Sequence, residues 1–124
     1  MERSNRIDLD QIWWAIPVYN NEATVAAVAA ECRSLLPRVV VVDDGSTDAD
    51  VEGLLAGNDI TVLRHEKNRG KGKAIRTALQ YVGDRGARFM ITIDADGQHH
   101  PRDLEKVLPL LQESDTSIVI GCRD

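Results

Sequence analysis

At 124 residues, with 43% hydrophobic and 28% charged residues, the chain has the length and composition of one soluble globular domain with a single core. Its formal net charge of −5 speaks against nonspecific nucleic-acid binding, which needs a basic surface. No apolar run approaches the roughly 18–20 residues that cross a bilayer, and the polar start Met1-Glu2-Arg3-Ser4-Asn5-Arg6 lacks the apolar core of a signal peptide.

Residues 1–10 read as an N-terminal tail and residues 11–124 as one domain, within which strand and helix signals alternate. Ile12-Trp13-Trp14-Ala15-Ile16 predicts a first strand, ended by Pro17. Val25, Val28, Ala29, Cys32 and Leu36 then recur at spacings of three and four, the apolar face of a helix. Arg38 is followed by Val39, Val40, Val41 and Val42, a run suited to a strand covered on both faces. Asp43-Asp44-Gly45-Ser46-Thr47-Asp48 stops it with a dense turn signal, whose last members are expected to cap a short helix through about Ala56.

Ile60-Thr61-Val62-Leu63 reads as a third strand. Glu66-Lys67-Asn68-Arg69-Gly70-Lys71-Gly72-Lys73 is a basic, glycine-bearing loop that leads into a helix with Ile75, Ala78, Leu79 and Val82 on one face. Residues 88–93 form a fourth strand. Pro101 fits the first turn of a helix whose face carries Leu104, Val107, Leu108 and Leu111, and Pro109 should kink or shorten it. Ser117-Ile118-Val119-Ile120 reads as a fifth strand. Cys32 and Cys122 are far apart in apolar settings and are expected as buried free thiols, which suits a cytoplasmic location, peripheral to a membrane at most.

This alternation predicts an α/β fold, a Rossmann-like, mostly parallel sheet with helices on both faces. Ligands bind such sheets outside the carboxyl ends of the strands, and the unusual polar residues gather there. Tyr19, Asn20 and Glu22 follow the first strand, and Asp43 and Asp44 end the second. The basic loop follows the third strand, Asp94 and Asp96 end the fourth, and Arg123 follows the fifth.

Asp94-Ala95-Asp96-Gly97-Gln98-His99 carries the sharpest chemistry. Two carboxylates held this close repel and resist desolvation, and a divalent cation offsets that cost. Residues two apart in extended chain project to one side, so Asp94 and Asp96 can meet one cation, with Gln98 continuing the spacing. Hard oxygen ligands favour Mg²⁺ or Mn²⁺; His99 and His100 read as plain loop residues, and a bare turn is the dull alternative for the whole segment. Asp43 and Asp44 suit a base ring N–H or ribose hydroxyls, with Gly45 letting the backbone come close. Capping accounts for Ser46, Thr47 and Asp48. Tyr19 offers an aromatic face and Glu22 a carboxylate, though core packing and a favourable first-turn charge explain them too. Lys67, Arg69, Lys71 and Lys73 sit where a helix N-terminus receives phosphate. They do not match the P-loop pattern, and for each a solvated basic face is an equal reading.

Taken together, these segments resemble the family 2 glycosyltransferases, inverting enzymes with the GT-A fold. The resemblance rests on Ile16-Pro17-Val18-Tyr19-Asn20-Asn21-Glu22, Val41-Val42-Asp43-Asp44-Gly45-Ser46-Thr47-Asp48, Asn68-Arg69-Gly70-Lys71-Gly72, Asp94-Ala95-Asp96-Gly97-Gln98-His99 and Ile120-Gly121-Cys122-Arg123. These stand in the family's order and spacing and span nearly all of the chain from Ile12 onward. The Asp-Ala-Asp-Gly-Gln form looks most like the dolichyl- or polyprenyl-phosphate sugar synthase branch. One departure is Tyr19-Asn20-Asn21-Glu22, which has one Asn more than that branch usually carries.

The resemblance implies the GT-A nucleotide-binding half. Pro17, Tyr19 and Glu22 would line the nucleotide pocket, with Asp43 toward the base and ribose and Asp44 beside it. Lys71, Asp94, Ala95, Asp96 and Arg123 would face the sugar diphosphate. Asp94, Asp96 and Gln98 would hold Mg²⁺ or Mn²⁺. The implied donor is a UDP- or GDP-linked sugar and the implied acceptor a polyprenyl phosphate at a membrane surface, with no nucleic-acid partner. The family's fold continues past this length with the acceptor site and, in many members, the general base, so no catalytic residue is assignable here. Self-association or a partner completing the missing half is an open expectation. The alternative is a non-catalytic nucleotide-binding or regulatory half-domain. A phosphoacceptor receiver fits poorly, because the acidic pair follows the second strand and no lysine ends the last. A sugar nucleotidyltransferase lacks its glycine-rich arginine loop here.

Overall fold

Four consecutive valines leave a strand no polar face to turn toward water, so Val39, Val40, Val41 and Val42 must sit inside a sheet covered on both sides. They do, each at most 2% exposed. The computed structural model of the chain describes residues 9–95 apart from 48, 49 and 58. A 3-10 turn, Leu9–Gln11, leads into β1 (Ile12–Val18) and then α1 (Glu22–Leu35), β2 (Arg38–Asp43), α2 (Val51–Leu54), β3 (Thr61–Arg64), α3 (Lys71–Asp84) and β4 (Phe89–Thr92). The strands pair in parallel in the order β3-β2-β1-β4. This is the expected α/β architecture.

Alternation along β1 divides the core. Ile12, Trp14, Ile16 and Val18 pack with Val25, Val28, Ala29 and Cys32 of α1 on one face. Trp13 and Ala15 pack with Ala74, Ala78 and Val82 of α3 on the other. Helices therefore cover both faces, and each fully buried aliphatic side chain contributes about 1.5–3 kcal/mol of transfer energy. The face predicted for α1 is the buried one, and Cys32 lies buried within it. In α3 the buried stripe is Ala74, Ala78 and Val82, with Ile75 and Leu79 half-buried beside it.

Three expectations need adjusting. Pro17 lies inside β1 rather than ending it. α2 begins only at Val51, with Asp50 in the N-cap position, because Ser46 and Thr47 spend their polar groups elsewhere. β3 runs one residue later than the apolar run suggests. The tail before residue 9, the helix beyond Pro101, the fifth strand and Cys122 lie outside the described residues. Among the described residues, no helix is long and apolar enough to cross a membrane.

Candidate functional site

The strand order reverses at β1: the chain steps one way to β2 and β3, then returns to the other side of β1 for β4. A crevice opens at such a reversal, between the carboxyl ends of the two strands. Pro17 shapes it. The Ala15 carbonyl accepts the Ile93 amide at 3.1 Å, so Ala15 and, two residues on, position 17 turn their backbone groups toward β4. A proline has no N–H to give. The β1–β4 ladder ends at Ala15↔Thr92, while β1–β2 pairing continues to Val18↔Asp43. Beyond the parted strands lies a cavity of about 400 Å³ lined in part by Pro17, Tyr19, Asp44, Asn68, Lys71 and Asp94. That volume falls in the roughly 300–1,000 Å³ range of small-ligand pockets. Tyr19 is 46% exposed and offers its ring to this space.

The turn after β1 is tied to the turn after β2. Asn20 takes a left-handed φ of 57°, a conformation that Asn tolerates better than most residues. Its amide donates to Ser46 Oγ at 3.0 Å, and its Oδ1 accepts the Thr47 amide at 2.8 Å. The extra Asn of Tyr19-Asn20-Asn21-Glu22 is thus absorbed by one left-handed residue. Asn21 follows as the N-cap of α1, its carbonyl accepting the Thr24 and Val25 amides. Glu22 opens the helix; its side chain lies outside the described residues.

The two adjacent aspartates have different duties. Asp43 is 1% exposed, and its Oδ1 accepts the Ser46 amide at 2.8 Å. Its Oδ2 is buried with no hydrogen-bond partner among the described residues. Asp44 turns toward the loop between β3 and α3. Its Oδ1 meets His65 Nδ1 at 2.7 Å and accepts the Arg69 amide at 2.9 Å. Its Oδ2 accepts Asn68 Nδ2 at 3.1 Å and the Gly70 amide at 2.8 Å. Four donors fill the acceptor capacity of one carboxylate. Burial alone would push the Asp44 carboxyl up, but the His65 bond, the two amides and the His65 charge outweigh it and hold the group below the usual carboxylate range. His65 Nε2 continues to Thr77 Oγ1 at 2.9 Å, so one side chain joins β2, the loop and α3.

Gly45 makes this clamp possible. Its φ is +79°, and a Cβ there would lie 2.5 Å from both the Asn68 nitrogen and the Lys67 carbonyl carbon. Only a glycine lets the loop backbone come this close. The loop's cations are sorted as a result. Lys67, Arg69 and Lys73 line a separate open groove, while Lys71 lines the crevice.

Lys71 meets Asp94 there, Nζ to Oδ1 at 2.6 Å. The segment that carries Asp94 is anchored from behind, since Thr24 Oγ1 of α1 donates to the Ala95 carbonyl. The structure therefore brings Pro17, Tyr19, Asp44, Lys71, Asp94 and Ala95 to one crevice. Asp96, Gln98 and Arg123 lie outside the described residues. Among the described residues, no group of three or more His, Cys, Asp or Glu side chains could hold a metal ion. Asp94 nonetheless fits one in kind: it is a hard oxygen ligand at a pocket edge that already draws a cation to itself.

Residues 13–124 match the family described as glycosyl transferase family 2. The chain belongs to that family. It is 35% identical over 120 residues to an uncharacterized Methanocaldococcus jannaschii protein, covering 96% of this chain and 49% of the relative. It is 30% identical over 129 residues to the UDP-N-acetylglucosamine–dolichyl-phosphate N-acetylglucosaminyltransferase of Methanococcus voltae, covering 90% of this chain and 51% of that enzyme. A polyprenol monophosphomannose synthase of Mycolicibacterium smegmatis is 29% identical over 115 residues, at 87% and 43% coverage. The chain thus spans about half the length of the curated relatives it matches. A mycobacterial protein of known crystal structure superposes with a TM-score of 0.67 at 24% identity, covering 84% of this chain and 37% of that one. This likeness bears on the fold alone. Family 2 membership makes the chain glycosyltransferase-like in origin and fits the GT-A-type sheet described above.

Sequence reasoning did not single out Thr24, His65 and Thr77, which brace this crevice from behind, and it gave Asn20 and Asn68 no bracing role. His65 immediately precedes the basic loop and Asn68 lies within it, and a histidine just past an apolar strand was the available signal.

Proposed function

We propose that the crevice between β1 and β4 binds the nucleoside diphosphate of an activated sugar, and that the chain forms the donor side of an inverting glycosyltransferase. The observation that supports this most is the meeting of Tyr19, Lys71 and Asp94 at the strand-order reversal. An aromatic face for the base, an ammonium for phosphate and a carboxylate for a cation are the groups that a nucleotide sugar requires. Asp43 keeps a buried oxygen without a hydrogen-bond partner among the described residues and is assigned to the base or ribose. Asp44 serves by holding the loop that presents Lys71.

Mg²⁺ or Mn²⁺ would be held by Asp94 together with Asp96 and Gln98, and when bound it supplies charge stabilisation to the departing diphosphate. Lys71 adds fixed positive charge from the helix side, and Arg123 is assigned to the same diphosphate. These groups act on charge that develops as the bond to the sugar breaks, the electrostatic part of catalysis. The relatives named above for dolichyl- and polyprenyl-linked transfer support a polyprenyl phosphate acceptor. Such an acceptor is anionic already and needs little help from a base. We assign acceptor binding to the length of the relatives that this chain does not span, whether it is supplied by further sequence, a second copy or a partner.

The test is calorimetric titration of UDP, GDP and their sugars, with and without Mn²⁺. Metal-dependent binding that Asp96→Ala abolishes is the expected result. Absence of binding to every nucleotide overturns the reading. Transfer of sugar to a polyprenyl phosphate separates an enzyme from a donor-binding module.

A further inference from the structure

The segment from the end of β3 into α3 carries a charge imbalance that the crevice does not use. Residues 64–73 hold five of the fifteen Lys and Arg side chains and one of the twenty Asp and Glu, in a chain whose net charge is −5. Of the five, Lys71 lines the crevice. Arg64, Lys67, Arg69 and Lys73 line a separate groove of about 660 Å³, with Glu66 as the acid of its described lining. All four cations are exposed, but the backbone that presents them is braced. Asp44 accepts the Arg69 and Gly70 amides at 2.9 and 2.8 Å, and Gly45 packs against the backbone at Lys67 and Asn68. A preformed cluster of one sign focuses positive potential on one edge of an otherwise acidic molecule. Arg64 ends β3 and Lys73 stands in the first turn of α3, so that edge is the carboxyl edge of the sheet, where the crevice also opens. Strands lie about 4.8 Å apart and β2 separates β3 from β1, which places groove and crevice about 10–15 Å from each other.

We infer that this groove docks the chain on an anionic lipid bilayer, with lipid phosphates meeting Arg64, Lys67, Arg69 and Lys73. The charge pattern suits a bilayer because a flat surface meets one edge of the molecule only. The acidic remainder of the chain then faces solvent, largely beyond the ~8 Å over which salt leaves a surface potential appreciable. Each Lys or Arg held near an anionic membrane strengthens attachment about fivefold, so four in one groove give firm but reversible binding. The docking itself needs no nucleotide and no metal. Its consequence rests on the donor-site reading above: a crevice on the same edge is carried to the membrane surface, where the phosphate of a polyprenyl acceptor lies.

Co-sedimentation of the whole chain with vesicles tests this without nucleotide or metal. Vesicles of phosphatidylcholine are compared with vesicles that also contain phosphatidylglycerol. Binding is expected to the anionic vesicles and not to the zwitterionic ones, and it should fall steeply as salt is raised. Lys67→Gln combined with Lys73→Gln should weaken it about thirtyfold, about fivefold for each charge. Arg38→Gln combined with Arg85→Gln removes the same charge from the opposite edge, where Arg38 opens β2 and Arg85 follows α3. That pair should weaken binding by no more than about twofold. All four positions are exposed, and thermal melts check that both double variants fold. The inference is overturned if wild type does not bind anionic vesicles, or if the two pairs weaken binding alike, which would make it a matter of net charge. It is overturned as well if millimolar glycerol phosphate displaces the chain from the vesicles, since the groove would then be a site for a small phosphate and not for a surface. Either failure leaves the calorimetric test of the donor site untouched, and a failed nucleotide titration leaves vesicle binding standing.

Discussion

Replacing Asp44 with asparagine alters one atom's chemistry and almost nothing in size, so its cost can be worked out bond by bond. The carboxylate receives four donors at 2.7–3.1 Å. An asparagine that keeps its oxygen in the Oδ2 position retains Asn68 and Gly70. Its amino group then faces His65 Nδ1, which becomes an acceptor if the ring proton moves to Nε2 and is donated to Thr77. The Arg69 amide alone is left facing a donor. One bond is therefore lost outright and the others lose their charge assistance. With about 1.5–3 kcal/mol for a bond to a charged group and about 1 for a neutral one, Asp44→Asn should cost about 3 kcal/mol or more. The assay is urea unfolding, read as a lower midpoint at unchanged m. The pH dependence adds a second check. A carboxyl depressed by folding contributes stability that is complete above its unfolded pKa, near ~3.9, and that disappears as pH falls through the lower folded value. The wild-type advantage over Asp44→Asn should thus shrink below about pH 4. A loss under about 1 kcal/mol, or a gap that is the same at pH 3 as at pH 6, would refute the clamp.

Gly45→Ala should be as damaging by a different route: a Cβ 2.5 Å from backbone atoms of Lys67 and Asn68, at φ +79°, costs about 3 kcal/mol or more in steric displacement and backbone strain. A thermal melt near wild type would contradict this. Tyr19→Ala should leave stability within about 0.5 kcal/mol, since the side chain is 46% exposed. It should nonetheless weaken nucleoside diphosphate binding about tenfold through lost stacking; equal affinities by calorimetry would remove Tyr19 from the site. Thr24→Val keeps the shape but takes the donor from the Ala95 carbonyl. It should cost about 1 kcal/mol in chemical denaturation and lower nucleotide affinity by loosening the segment that carries Asp94.

The valine run, the α1 face and the gathering of polar residues at strand ends were all legible in the sequence, because each depends on spacing within a single element. What spacing cannot show is which of two neighbouring aspartates turns inward. Asp44 finds its partners at positions 65–70, more than twenty residues on, and no local pattern distinguishes it from Asp43. The same holds for the four cations of the basic loop. By residue pattern alone Lys71 is one of four equal candidates, and only the family resemblance singles it out; Gly45 and Asp44 fix the backbone path of the loop from which it reaches the crevice. Pro17 reads as a terminator, and it is one for a single ladder. That β1 continues past it depends on β2 lying on the other side, and strand order is not written near Pro17. Ser46 and Thr47 looked like caps of a following helix because side-chain oxygens prefer helix starts. Here they are engaged by Asn20 instead.

The proline in β1 has a consequence for how this protein tolerates change. An amide at position 17 would point at the Ile93 carbonyl, one step past the last bond of the β1–β4 ladder. A β-branched residue there would zip the two strands further and make the sheet sturdier, while closing the mouth of the crevice. Selection for stability alone would therefore favour losing the proline, and selection for an open cleft would favour keeping it. The ring at position 17 is a wedge, and the pocket persists because the sheet is kept from finishing itself.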